Sequence, residues 1–86
     1  MAHRVPIEPT FDLHPFTPRD VVSAVTEYVA AAHEAGIPVV RIVHGRGRGV
    51  QRGIVQAALE AHPLVETFWD DTDAHLGATF ASLRIG

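Results

Sequence analysis

The amino-acid sequence predicts an α/β fold, a two-layer α+β sandwich in which a four-stranded, mostly parallel mixed sheet carries two helices on one face. Three observations lead to this prediction. Two segments repeat apolar residues at helical spacing, short β-branched or alternating segments flank them, and glycines, prolines and polar turns separate the elements. The predicted order is βαβαββ, and strand–helix–strand units of this length imply parallel pairing. Because two helices cover only one face of such a sheet, we expect the other face to be open.

The first strand is predicted at residues 8–13. Side chains alternate along a strand, so Phe11 and Leu13 would share one face, and Asp12 and His14 would share the other. This alternation places a carboxylate and an imidazole together on one side of a strand end.

A helix is predicted to start at Thr17, which can cap it, with Pro18 at the first helical position. Gly36 ends this helix and Pro38 prevents its continuation. Its apolar stripe comprises Val21, Val22, Val25, Tyr28, Val29 and Ala32.

The remaining predicted elements are a β-branched strand at 38–43, a helix from near Val50 to His62, a strand at 64–69, a polar turn at 70–77 and a strand at 78–85. The second helix has an apolar stripe of Val50, Ile54, Val55, Ala58 and Leu59. In the last strand one face would hold Thr79, Ala81, Leu83 and Ile85, and the other Phe80, Ser82 and Arg84.

Length and composition indicate a single domain at residues 8–86, preceded by an arm at residues 1–7. The chain has no cysteine, which excludes disulfides and a Cys-ligated zinc site, and no apolar run of about 20 residues that would span a membrane. We therefore expect a soluble, cytoplasmic protein. The formal net charge of −3 argues against a nonspecific coat on nucleic acid. All seven basic residues are arginine, and three of them lie between positions 46 and 52. The acidic cluster Asp70, Asp71 and Asp73 is expected to lie elsewhere on the surface.

The segment 44–52 connects the second strand to the second helix and is the most informative part of the sequence. It holds the alternate glycines Gly45, Gly47 and Gly49 and the arginines Arg46, Arg48 and Arg52. Glycines let a tight loop bring its N–H groups close to a ligand, and a helix start adds unpaired N–H groups and a positive dipole end. The segment therefore predicts a phosphate site. The alternative is a plain strand-to-helix turn with solvated arginines.

The open sheet face is a second candidate binding surface. By strand parity it would carry Arg41, Phe80 and Arg84, an aromatic ring with two guanidinium groups, which is how single strands are held by stacking and charge. The structural alternative is that Phe80 packs against a neighbour such as Trp69.

Four segments resemble the small MutS-related (Smr) domain family. They are the DLH motif at 12–14, the segment 35–47 that ends in HGRG at 44–47, the segment 62–65 and the segment 77–79. The resemblance covers residues 8–85, so nearly the whole chain is similar to one such domain. The glycine usual after DLH is Pro15 here, which predicts a stiffer first loop.

The resemblance implies a fold similar to the C-terminal domain of a bacterial translation initiation factor, with both motifs at neighbouring strand ends. It also implies a nucleic-acid endonuclease, since family members include nucleases that nick DNA and endoribonucleases, some acting on messenger RNA at stalled ribosomes. We expect RNA rather than DNA as the substrate, and the resemblance makes the ribosome a candidate partner. The alternatives are a DNA-nicking endonuclease and a non-catalytic module that binds nucleic acid or protein.

Phosphodiester cleavage needs proton transfers and stabilisation of charge on the phosphoryl oxygens. We assign His14 and His44 as the proton-transfer pair, Asp12 as the residue that orients a histidine, and Arg46 with the glycine loop as the phosphate clamp. No cofactor is needed if RNA is cleaved through its own 2′-OH. A water nucleophile on DNA would call for a divalent cation such as Mg²⁺ or Mn²⁺, and the alternative role of Asp12, His14 and His44 is to bind that ion.

Overall fold

The computed structural model describes residues 7–45 and 49–85, so the predicted arm lies almost entirely outside the described residues. The elements are β1 (Thr10–Asp12), a short 3₁₀ turn (Pro18–Asp20), α1 (Val21–Glu34), β2 (Val39–Val43), α2 (Val50–Ala61), β3 (Val65–Asp70), a second 3₁₀ turn (Thr72–Ala74) and β4 (Ala78–Leu83). This order confirms the predicted βαβαββ arrangement. Neither of the two helices in the described ranges is long and apolar enough to cross a membrane.

The four strands form one mixed sheet in the order β1-β2-β4-β3. β1 pairs with β2 in parallel, and β4 pairs antiparallel with both β2 and β3. β1, β2 and β3 therefore run in one direction and β4 runs against them. Direct parallel pairing of β3 with β2 was the expectation for the second strand–helix–strand unit, and it does not occur. The chain turns back after β3, so β4 inserts between them.

The core lies between the helices and one face of the sheet. α1 buries Val21, Val25, Tyr28, Val29 and Ala32, as its predicted stripe requires. The sheet meets it with alternate residues of β2 and β4, namely Val40, Ile42, Ala81 and Leu83. Three predictions of apolar-face residues are wrong. Val50 is 62% exposed because it is the first residue of α2. Val22 is 51% exposed because it lies outside the roughly 100° arc that faces the sheet, and Ile85 is 93% exposed because β4 ends at Leu83.

Tyr28 of α1 contacts the segment that contains β1, at Glu8 and Phe11. Its ring stacks on Phe11 with centroids 4.4 Å apart, and its hydroxyl donates to the carbonyl of Glu8. Burial, with the nearby Glu8 carboxylate, raises the pKa of Tyr28 to about 12. These contacts hold β1 in place beside β2, which matters because β1 ends at the DLH motif.

Candidate functional site

The carboxyl ends of β1 and β2 meet at the same edge of the sheet. Asp12 stands opposite Val43 in the parallel register, and the Leu13 N–H extends the pairing to the Val43 carbonyl at 2.9 Å. His14 and His44 therefore follow neighbouring strand ends, as predicted. Their environments differ: His14 is exposed to solvent, whereas His44 is only 7% exposed.

Asp12 organises the loop that carries His14. Its carboxylate accepts a hydrogen bond from the backbone N–H of His14 at 2.8 Å, and the Phe16 N–H closes the turn onto the Leu13 carbonyl at 2.9 Å. An aspartate that bonds the backbone two residues ahead is a common turn device. Asp12 thus orients His14 through the backbone rather than through the imidazole ring.

Both ring nitrogens of His44 have partners inside the protein. Nδ1 lies 3.0 Å from the Gly45 carbonyl, and Nε2 lies 2.9 Å from the Thr79 hydroxyl. Since a carbonyl only accepts, Nδ1 must carry the proton of the neutral ring. Nε2 is then the acceptor, and the Thr79 hydroxyl donates to it.

The Thr79 hydroxyl is in turn held by Gln56 of α2. The Gln56 amide nitrogen donates to Thr79 Oγ1 at 3.2 Å and to Asp70 Oδ1 at 2.9 Å. Asp70 also receives two hydrogen bonds from Arg52, at 2.8 and 2.7 Å. With the neutral ring, the hydrogen bonds run in one direction, from the Gln56 amide to the Thr79 hydroxyl and from that hydroxyl to Nε2 of His44, while Asp70 accepts from both Gln56 and Arg52. His44 and Thr79 are buried, and Gln56, Asp70 and Arg52 are half-buried. We call these five residues the buried relay, after its buried end at His44 and Thr79.

The backbone of the HG step is anchored as well. The N–H groups of His44 and Gly45 both donate to the Gly77 carbonyl, at 3.0 and 2.9 Å. Gly45 and Gly49 adopt φ of +79° and +78°, in the left-handed region that glycine enters without strain. This supports the predicted tight loop between β2 and α2. Arg46, Gly47 and Arg48 lie outside the described residues, so their part in a phosphate clamp stays a prediction.

The described arginines do not all gather at this loop. Arg52 bonds Asp70 as above, and Arg41 Nε donates to Asp71 Oδ2 at 2.7 Å. The acidic cluster was expected away from the arginines of residues 46–52, and that expectation is wrong for Asp70, which pairs with Arg52 because β3 ends at the same sheet edge as the glycine loop.

Each ion pair lowers the pKa of its carboxylate. The Arg52 guanidinium, helped by Gln56, lowers the pKa of Asp70 and has its own pKa raised in return. The Arg41 guanidinium likewise lowers the pKa of Asp71. Burial opposes both carboxylate shifts, so the hydrogen bonds to arginine are the dominant cause.

Arg84 belongs to the opposite end of the sheet. Its Nε donates to the Pro63 carbonyl at 3.0 Å, and its backbone N–H to Leu64. It lies five residues beyond Thr79, about 17 Å along an extended chain. The structure therefore does not bring Arg84 together with the two histidines.

The alternative metal site is not assembled. Within residues 7–45 and 49–85, no three histidine or carboxylate side chains converge closely enough to hold one ion. Asp12 instead bonds backbone, and His44 is turned inward to Thr79.

The open face carries a row of residues in register across all four strands. Thr10 pairs with Arg41, Arg41 with Phe80, and Phe80 with Trp69. Phe80 therefore lies on the face opposite the helices, as strand parity predicts. Its ring also stacks with Trp69, at a centroid distance of 5.7 Å and an interplanar angle of 23°, so the packing alternative is realised too.

Sequence reasoning missed the buried relay behind His44. Thr79 was assigned to the helix-facing side among apolar residues, which is correct, and it is fully buried. A buried hydroxyl among apolar residues needs a hydrogen-bond partner, so the sequence could have predicted that Thr79 bonds another polar side chain. The identity of the partner was not available, because it depends on β4 lying beside β2.

Fold and site together define a small two-layer α/β domain in which a histidine-bearing turn and a histidine–glycine loop meet at the ends of two parallel strands. The profile of the Smr domain family matches residues 11–84. This chain belongs to the Smr domain family.

Relatives and solved structures agree with this placement. The chain is 34% identical over 80 residues to endonuclease MutS2 of Caldicellulosiruptor saccharolyticus. This alignment covers 91% of this chain and 10% of that protein. The chain is also 34% identical over 82 residues to endonuclease MutS2 of Thermomicrobium roseum, covering 92% and 10%. This chain thus spans about one tenth of the length of the curated relatives it matches.

The crystal structure of the Smr domain of Thermus thermophilus MutS2 superposes with a TM-score of 0.81 at 28% identity, covering 88% of this chain and 98% of that one. YdaL, a stand-alone small MutS-related protein from Escherichia coli, superposes with a TM-score of 0.82 at 23% identity, covering 93% and 67%. The second comparison concerns the fold alone.

Proposed function

We propose that this protein is a nucleic-acid endonuclease and that its preferred substrate is RNA. The observation that carries the proposal is the meeting of the DLH turn and the HG loop at the ends of β1 and β2. The relatives that match along nearly the whole chain are named as endonucleases, which supports the same reaction class. The coverage of only a tenth of those relatives leaves the choice of substrate to experiment.

In the proposed reaction, the substrate phosphate binds at the loop from Gly45 to Gly49, with Arg46 and Arg48 as its charged partners. The exposed His14 removes the proton from the RNA 2′-OH or delivers one to the leaving oxygen. The O2′–P bond forms as the P–O5′ bond breaks, and the products are a cyclic phosphate and a 5′-hydroxyl. This route balances without a metal ion or a water nucleophile.

His44 enters this scheme in a different way from His14. Because both of its ring nitrogens are already bonded, it can transfer a proton only after exchanging the Thr79 hydroxyl or the Gly45 carbonyl for a substrate oxygen. Until then it holds the loop in shape. We propose that His44 positions the phosphate loop and that substrate binding frees Nε2 for the second proton transfer.

The test is cleavage of end-labelled RNA hairpins, single-stranded RNA and duplex DNA, each with EDTA, Mg²⁺ or Mn²⁺. We expect RNA cleavage that persists in EDTA, that a single 2′-deoxy substitution at the cut site blocks, and that His14→Ala abolishes. His33→Ala is the matched control, because His33 lies in the last turn of α1, at the other end of the sheet. Cleavage that His14→Ala leaves unchanged would contradict the site assignment, and cleavage of DNA only with a metal would favour the nicking alternative.

A binding module without catalysis is the second candidate, and the engaged ring of His44 favours it. In that case no substrate is cleaved under any condition. His14→Ala would then bind RNA as tightly as the unmodified protein, whereas Arg46→Ala with Arg48→Ala would weaken binding and its dependence on salt.

A further inference from the structure

The open face ends in an aromatic pair at the edge of the sheet. Trp69 and Phe80 stand opposite each other on β3 and β4, and their rings are stacked. Phe80 is half-buried, since it has Trp69 on one side and Arg41 of β2 on the other. Trp69 is 44% exposed, because β3 is an edge strand of the described sheet and no strand lies beyond it. The free ring surface of the pair therefore belongs to Trp69.

The charged residues around this pair carry no excess of positive charge. The Arg41 guanidinium in the same row is bonded to the Asp71 carboxylate at 2.7 Å. Asp12 lies on the same face, one row nearer the strand ends. A surface that binds backbone phosphates needs uncompensated positive charge, and this one has little. What it offers is a flat aromatic surface with a second ring behind it.

We infer that Trp69, backed by Phe80, is the platform on which one unpaired base of a single-stranded nucleic acid stacks. The inference rests on the proposed function. Stacking needs an exposed base face, which single strands and loops provide and a regular duplex does not. Arg41, held by Asp71, marks the inner end of the platform.

The position of the platform suits a strand that also reaches the histidines. Trp69 on β3 is two strand spacings from β2, which is about 10 Å across the sheet. The residue of β2 in the same row is Arg41, which lies three residues, or about 10 Å along the chain, before His44. A single strand of a few nucleotides covers this separation. The platform would thus fix an unpaired base a few nucleotides from the bond to be cut and select against fully paired substrates.

The experiment uses the fact that Trp69 is the only tryptophan in the chain. Its fluorescence reports directly on the proposed contact. The probes are a single-stranded DNA oligonucleotide, which lacks the 2′-OH, an abasic oligonucleotide with the same number of phosphates, and the matching duplex. We expect the single strand to quench Trp69, and the abasic strand and duplex to quench it far less.

Affinity is then measured by anisotropy for three variants. Trp69→Ala should weaken single-strand binding about 5- to 150-fold, as expected for loss of one base–aromatic stack. Trp69→Phe should keep most of the affinity. Val39→Ala is the matched control, since Val39 is a 39% exposed apolar residue on the same face one row further from the histidines, and it should bind normally. Circular dichroism confirms that each variant is folded.

Three results would overturn the inference. The first is equal quenching by the abasic and the normal strand, a comparison that uses the unmodified protein. The second is unchanged affinity in folded Trp69→Ala. The third is concentration-dependent quenching without nucleic acid, which would favour a second copy on this face. The outcome is separable from the proposed function. If the single strand binds and quenches Trp69 but neither the unmodified protein nor any variant cleaves RNA, only the endonuclease proposal is refuted. If cleavage depends on His14 and Trp69→Ala binds the single strand normally, only the platform is refuted.

Discussion

Replacing Thr79 with valine tests whether the buried relay sets the state of His44. Valine has nearly the shape of threonine but no hydroxyl, so Nε2 of His44 loses its donor. Gln56 loses one of its two acceptors and keeps Asp70. The substitution therefore leaves one buried ring nitrogen without a partner and changes little else.

The expected cost follows from burial. Thr79 is fully buried and His44 is 7% exposed, so water cannot replace the missing donor without opening the site. An unsatisfied buried polar group costs about 1–3 kcal/mol. For a domain of this size, each kcal/mol lowers the melting temperature by about 4–8 °C. Thr79→Ser is the matched variant, because it keeps the hydroxyl and loses one buried methyl group at a cost of about 0.5–1.5 kcal/mol.

Two measurements separate the hydroxyl from general packing. Urea unfolding gives the free energy of each variant, and ¹⁵N shifts of the imidazole report which nitrogen of His44 carries the proton. We expect Thr79→Val to be the less stable of the two and to show a mixed population of His44 tautomers, with Thr79→Ser like the unmodified protein. The reasoning is refuted if Thr79→Val is at least as stable as Thr79→Ser and its His44 tautomer is unchanged.

Three further predictions concern the loop and the ionisable groups. Gly45→Ala should lower the free energy of unfolding in urea by about 1–2 kcal/mol, because φ of +79° strains any residue with a Cβ. Gly53→Ala within α2 should raise the free energy of unfolding by about 0.5–1 kcal/mol. Equal effects of the two substitutions would contradict the loop geometry. The pKa values of Asp70 and Asp71 are lowered in the folded protein, so the stability they contribute is complete above pH 3.8 and is lost as the pH falls below that value. Asp70→Asn should make the free energy of unfolding fall less steeply with decreasing pH in this range. An unchanged pH dependence would contradict the ion pair. The pKa of Tyr28 is raised to about 12, so the stability that Tyr28 contributes is complete below pH 10.0 and is lost as the pH rises from 10.0 to about 12. Tyr28→Phe should remove this loss of stability at alkaline pH. A loss that persists in Tyr28→Phe would point to another group.

The elements were predictable because each is specified locally. The stripe of α1 repeats at helical spacing, β2 is a β-branched run, and Gly36 with Pro38 marks the break between them. Parity also assigned Phe11 and Leu13 to the core side and Asp12 to the other. The adjacency of the strand ends after β1 and β2 followed from parallel pairing across a helix.

The partners of the charged residues were not predictable, because they depend on strand order. Nothing local in the segment 70–73 indicates that β4 inserts next to β2 and leaves β3 at the edge. That order brings Asp70 to Arg52 and Asp71 to Arg41. Spacing along the chain showed two groups of opposite charge, and only the folded sheet shows that they neutralise each other.

β4 is the element on which both parts of the site depend, because consecutive residues of it serve different faces. Thr79 holds the His44 ring on the helix side, and Phe80 backs Trp69 on the open side. The carbonyl of Gly77, the residue just before β4, holds the backbone of His44 and Gly45. Since side chains alternate strictly along a strand, the two faces share this backbone while their side chains do not touch. A change at Thr79 should therefore act on the histidine and a change at Trp69 on the base platform. The insertion of one antiparallel strand between two parallel ones thus connects a buried polar relay to an exposed aromatic surface through a single peptide segment.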